Sequence, residues 1–244
     1  MAINQKGISV KKDGMWYLEN KYKMRRIPSK SGAGLMPVGK YEKYVQNCEN
    51  TLALVAQINA DILYTQHKVD KYKSGTRSRA YVEADYVQDI HALRGLKECL
   101  SIVSDIALDR RKAELKNPTS LPKKKSQNGN IGAHASFLMD KYGIEVRLEN
   151  KKFKFIDHRD ELPREMLYDE YFDVFDWIKR DLAEAKRRSR LFERQNYNPA
   201  LEAVKRTRRE LPALEACYQL MVNAINSHHH ILTVGKLDAM IAKE

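Results

Sequence analysis

Apolar residues recur three and four positions apart from Val45 through Cys48, Leu52, Val55, Asn59, Ile62 and Gln66 to Val69. Only an α-helix gathers that spacing onto one face, so the stripe predicts a helix from Lys40 to Lys73. Its two polar members, Asn59 and Gln66, either set register and partner number or lie at the edge of the contact. Ser74-Gly75-Thr76 then reverses the chain. A second stripe (Val82, Tyr86, Ile90, Leu93, Leu100, Val103, Ala107) predicts another helix from about Arg79 to Lys116. So short a connection forces the two to run antiparallel, each ~50 Å long at the α-helical rise.

A second helical block follows from Leu162 to near the end of the chain. Leu167, Tyr171, Val174, Phe175, Ile178, Leu182 and Ala185 form a clean apolar face, with Glu165, Asp169, Asp173 and Asp176 early on the other side. Acids near a helix start and bases near its end are what the macrodipole favours. The same carboxylates are also the residue type needed for metal-assisted phosphodiester chemistry. The dipole accounts for them without a further assumption, so no metal ligand, catalytic residue or cofactor is assigned.

The stretch Lys186–Arg209 holds nine cations (Lys186, Arg187, Arg188, Arg190, Arg194, Lys205, Arg206, Arg208, Arg209) against two acids, Glu193 and Glu202. Asn196-Tyr197-Asn198-Pro199 interrupts it, with Asn198 expected as an N-cap and Pro199 as the first helical residue. Two basic helix ends therefore meet at one hairpin tip, where their charges add over a small area. The tip of the first hairpin repeats the logic with Lys68, Lys71, Lys73, Arg77 and Arg79. Leu211-Pro212 marks a kink or a fresh helix start, before a further apolar face of Leu214, Cys217, Tyr218, Met221, Ile225 and Ile231. His228-His229-His230 point in different directions on a helix, a poor arrangement for one metal. Leu237 to Ile241 is long enough only to dock onto something.

Residues 1–30 read as short strands, with Ile8, Val10, Trp16, Leu18 and Ile27 alternating and Asp13-Gly14 as a hairpin turn. GISVKKDGMWYLENKYKMRRIPSK resembles the small amino-terminal arm-binding module of phage-type integrases, through Asp13-Gly14, Trp16-Tyr17 and the basic strand around Arg25-Arg26. The resemblance covers about one eighth of the chain and implies a three-stranded, DNA-binding sheet with Arg25 and Arg26 as contacts. SGAGLMPVG, read as a linker, stands where that family continues into a helix. His91-Ala92-Leu93-Arg94 spells the His-x-Leu-Arg box of tyrosine recombinases, but too early in the chain and without the accompanying Arg and Tyr. It is read as ordinary helix.

Residues 117–132, with two prolines, two glycines and Lys123-Lys124-Lys125, read as a linker. Beyond it, Phe137, Leu138 and Tyr142 fit a short helix ended by Gly143, and Ile144–Ile156 a β-hairpin turning at Glu149-Asn150-Lys151. Helix then hairpin is the order of a winged-helix DNA reader, with Arg147, Lys151, Lys152 and Lys154 on the wing, but the helix pair that should precede a wing is not evident, which favours a small packing motif without a groove to enter. The expected architecture is mainly α, built of long antiparallel helical hairpins with a small amino-terminal β-hairpin or sheet and a second short hairpin near 144–156. Its expected divisions are a basic β module and linker (1–36), a long hairpin (37–116), the linker (117–132), and a helix, β-hairpin and basic-tipped helical hairpin (133–244).

A net charge of +12 directs the chain toward anionic partners. Cys48, Cys99 and Cys217, all at apolar helix positions, read as buried thiols. The start of the chain carries no apolar signal segment, and no run is long enough to span a bilayer, so the expected location is cytoplasmic, a host's cytoplasm or a virion if viral. The function expected from these features is non-enzymatic nucleic-acid binding in a phage or mobile element, with DNA ahead of RNA, a homo-oligomer, and no membrane. An oligomeric virion or assembly protein that meets acidic protein, and a metal-dependent nuclease or recombinase, are the alternatives.

Overall fold

The structure, a computed structural model, describes residues 2–3, 9–10, 12–29, 32–39, 45–76, 82–116, 131–149 and 152–243. It is mainly helical, with long antiparallel hairpins and, among the described residues, three small antiparallel sheets, and it divides into two compact units. One comprises Met1–Lys123 with His230–Glu244, the other Lys124–His229, so the second is inserted into the chain of the first.

The first unit is organised by α2 (Cys48–Lys73) and α3 (Glu83–Lys116). The helix begins at Cys48 rather than Lys40 because Asn47 caps it: its Oδ1 accepts from Asn50 N at 2.8 Å. Val55, Ile58, Ile62 and Val69 of α2 share a core with Leu93, Leu96, Cys99, Val103 and Ile106 of α3. Asn59 and Gln66 are only partly buried, which puts both at the edge of the contact. Val82 and Ile90 remain 53% and 41% exposed, so the α3 stripe is buried only from Leu93 onward.

The amino-terminal region differs from its sequence reading. Asp13 is not in a hairpin turn: its Oδ1 accepts from Trp16 N at 2.9 Å and starts a helical turn, α1 (Gly14–Trp16), that widens into a π-turn over Tyr17–Lys21. Trp16 and Leu18 therefore belong to a helix, and Tyr17, Leu18 and Tyr22 are buried against the α2–α3 core. SGAGLMPVG is not a linker either. Gly32–Pro37 forms β4, antiparallel to β3 (Met24–Ser29), and Ala33 N donates to Asp109 on α3. Two very short strands, β1 (Ala2–Ile3) and β2 (Ser9–Val10), form a separate pair. Buried Asp61 ties this region to α2 by accepting from Tyr22 Oη and Lys21 Nζ, each at 2.9 Å. The last helix, α7 (Val234–Ile241), docks on the same pair. Leu237 packs with Cys48 and Ala107, and Arg111 makes two bonds to Asp238, at 2.7 and 3.0 Å.

In the second unit α4 (Ile131–Tyr142) ends at Gly143, whose φ of +66° suits glycine. β5 (Ile144–Glu149) and β6 (Lys152–Asp157) pair antiparallel, and a two-residue β7 (Arg164–Glu165) adds a third strand. The helical hairpin consists of α5 (Tyr171–Arg194) and α6 (Glu202–Ser227). Phe155 meets Tyr171 edge-on and Phe175 stacks on Tyr218, joining sheet and helices. α6 runs through Pro212 without a break, so neither a fresh start nor a helix end falls there. Pro212 has no N–H for the Arg208 carbonyl, a loss the helix bears.

The three cysteines are buried and form no disulfide among the described residues, and burial pushes the Cys48 thiol up to about 11 and those of Cys99 and Cys217 up to about 12. Asp157 is buried at the end of β6, where Arg159 donates to it from the guanidinium and the backbone; these bonds hold its carboxyl down at about 2, from an ordinary 3.8. A depressed pKa means stability that is complete above the ordinary value and lost as pH falls through the folded one. Urea unfolding followed between pH 5 and pH 2 should show the wild type losing on the order of 1 kcal/mol more than Asp157→Asn between pH 4 and pH 2. Equal losses in the two proteins would remove Asp157 from the acid response.

Candidate nucleic-acid interface

The tip of the α5–α6 hairpin is built by a defined helix stop. Asn196 adopts a left-handed φ of +46°, which Asn tolerates better than most residues. Its N–H reaches the Glu193 carbonyl at 3.4 Å, and Tyr197 N reaches the Phe192 carbonyl at 3.2 Å. These are the two bonds of a Schellman ending, completed by contact between the Phe192 and Tyr197 rings, whose centroids lie 5.4 Å apart, edge-on. Asn198 does not cap α6. Its Oδ1 accepts from Ala200 N within the turn, Pro199 precedes the helix, and the N-cap is Leu201, whose side chain caps nothing.

The nine cations of the stretch fall into two groups. Lys186 bonds Glu215, Arg187 bonds Glu184, and Arg188 bonds Glu210, at 3.1, 2.8 and 3.0 Å. Arg190, Arg194, Lys205, Arg206, Arg208 and Arg209 are all exposed, and none makes a side-chain hydrogen bond or ion pair among the described residues. Four of these six stand at the fourth, fifth, seventh and eighth residues of α6, far from the carboxyl end whose dipole favours cations.

Between the two runs lies a pocket of about 460 Å³. The α5 face that buries Leu182 and Ala185 continues through Ser189 and Phe192, and across from it stand Val204, Thr207 and Arg208 of α6. Ser189 and Thr207 are small side chains, and a space is left between the two helix faces that they line. The sequence reading registered the break at Asn196–Pro199 but not the pocket. The available signal was Phe192 and Tyr197 five residues apart across Asn196, the spacing of the hydrophobic contact in a Schellman ending.

The remaining candidates lie elsewhere. At the α2–α3 tip Lys68 is bound to Asp89, Lys71 is partly buried, Lys73 is exposed, and Arg77 and Arg79 lie outside the described residues. Arg25 and Arg26 are exposed on β3, without a hydrogen bond or ion pair among the described residues. On the would-be wing, Arg147 is bound to Glu145, and Lys154 sits between Glu149 and Glu165; Asn150, Lys151 and almost all of the 117–132 linker with its lysine triplet lie outside the described residues. His229 bonds Tyr168 Oη and His228 lies against the Tyr168 ring, which uses two of the three histidines as packing groups. Among the described residues no group of three His, Cys, Asp or Glu can hold a metal ion, and no helix is long and apolar enough to cross a membrane. Comparison with protein families, with curated proteins and with solved structures finds no match.

Proposed function

We propose that this chain binds nucleic acid without acting on it chemically, and that the α5–α6 tip neutralises its phosphates. The observation that carries this reading is the set of six exposed cations flanking the α5–α6 turn that have no acid partner among the described residues, beside three that do. Five of the six are arginines, whose planar guanidinium forks fit phosphate oxygens. Exposed Arg25 and Arg26 on β3 supply further contacts in this reading.

Salt dependence tests it. Each neutralised phosphate releases counterions, so six contacts give a slope of about −5 in log affinity against log salt on duplex DNA, and about −4 on single strands. Fluorescence anisotropy with labelled oligonucleotides across 0.05–0.3 M salt reads the slope directly. Absence of binding, or a slope near zero on both, rejects the proposal.

A further inference from the structure

We infer that the pocket at the α5–α6 tip takes one unstacked base of a single-stranded nucleic acid, and that the base carries an exocyclic amino group. The inference rests on the nucleic-acid reading above and deepens it. A volume of about 460 Å³ is within the range of small-ligand sites. One wall is aromatic: Phe192 and the Tyr197 ring, the latter 44% exposed and so accessible to a stacking partner. The floor is polar on small side chains, Ser189 and the buried Thr207. Exposed Arg208 also lines the pocket, beside the other α6 cations that have no partner among the described residues.

The decisive group is Glu193. It lines the pocket and accepts from Ser189 Oγ at 3.4 Å. A carboxylate there repels a phosphate, so the cations outside and the pocket inside call for different parts of one ligand. A neutral aromatic ring with an N–H₂ donor satisfies both the carboxylate and the ring wall, as the amino groups of cytosine and adenine do. Thymine presents no such donor. A base inside a duplex cannot reach the pocket, whereas a strand whose phosphates follow Arg190, Arg194 and Arg208 can turn one base inward.

The test compares three single strands of equal length and charge at fixed salt: oligo(dA), oligo(dT), and a strand of abasic sites. Oligo(dA) should bind about tenfold or more above the abasic strand, with oligo(dT) between them. Tyr197→Ala should erase the gain on oligo(dA), and Tyr197→Phe, which keeps the ring and the helix stop, should retain it. Glu193→Gln, at an exposed position, should narrow the dA over dT preference. Equal affinity for abasic and base-bearing strands overturns the pocket assignment while leaving phosphate binding standing; failure to bind any strand instead overturns the reading beneath it. Deoxyadenosine monophosphate should compete only at concentrations far above the strand's Kd. Competition at equal concentration would make the ligand a free nucleotide and overturn the single-strand assignment.

Discussion

Replacing Lys205, Arg206, Arg208 and Arg209 together with glutamine is expected to weaken nucleic-acid binding by about 10²- to 10³-fold near 0.1 M salt and to take roughly 3 to 4 off the steepness of the salt slope. All four side chains are exposed and unpaired among the described residues, so their loss strands no buried partner. They also stand in the amino-terminal third of α6, away from the carboxyl end where the dipole would reward their charge. Thermal stability should therefore hold or rise slightly while binding collapses. The matched control is glutamine at Lys186, Arg187 and Arg188, whose charges are offset by Glu215, Glu184 and Glu210. Its effect on the slope should be the smaller. If this control costs as much as the α6 variant, net charge alone carries the binding and the α6 tip has no special part.

The largest effect on stability is expected from Gly95→Ala, a loss of about 3 kcal/mol and with it some 6–12 °C in Tm. In an open helix the same change stabilises by up to about 1 kcal/mol, so the sign distinguishes packing from propensity. A Cβ at Gly95 would lie 2.5 Å from the Lys12 carbonyl oxygen and 2.6 Å from the Tyr17 ring. Gly14, on the facing turn, would meet the backbone of Glu98 and Cys99 at 2.8 and 2.7 Å. Neither set of neighbours is the loose end of a side chain. Gly14 also donates its N–H to Glu98, which fixes the close approach of α1 to α3. Gly235→Ala is the comparison: nothing lies within 4 Å of its Cβ position in α7, so calorimetry should show a stability unchanged or raised. A Tm for Gly95→Ala at or above wild type would mean the two elements do not meet this closely.

Helix period was the legible part of this chain. Val55, Ile62 and Val69 in α2, and Val174, Phe175, Ile178 and Leu182 in α5, lie buried where a 3.6-residue repeat puts them. Gly143 and the alternation after it located the second β-hairpin for an equally local reason. The expected small amino-terminal sheet is present in β3 and β4, but its placement failed at Asp13, where one local signal has two meanings. Asp-Gly begins a hairpin turn or caps a helix, and the choice at Asp13 goes with packing 84 residues away, where Glu98 receives Gly14 N–H. Likewise nothing in SGAGLMPVG marks it as a strand; its partner β3 and its anchor Asp109 do.

At the candidate site, residue type and order were enough to locate nine cations around one turn, because charge is a property of the side chain alone. Which of them stay available is a property of neighbours. Glu210 and Glu215, on the opposite helix, engage Arg188 and Lys186, and only the antiparallel pairing of α5 with α6 brings them within 3.1 Å. The pocket belongs to the same category. Ser189 and Thr207 are unremarkable in sequence, and they become a cavity only when two helix faces meet and neither has the volume to fill the space between.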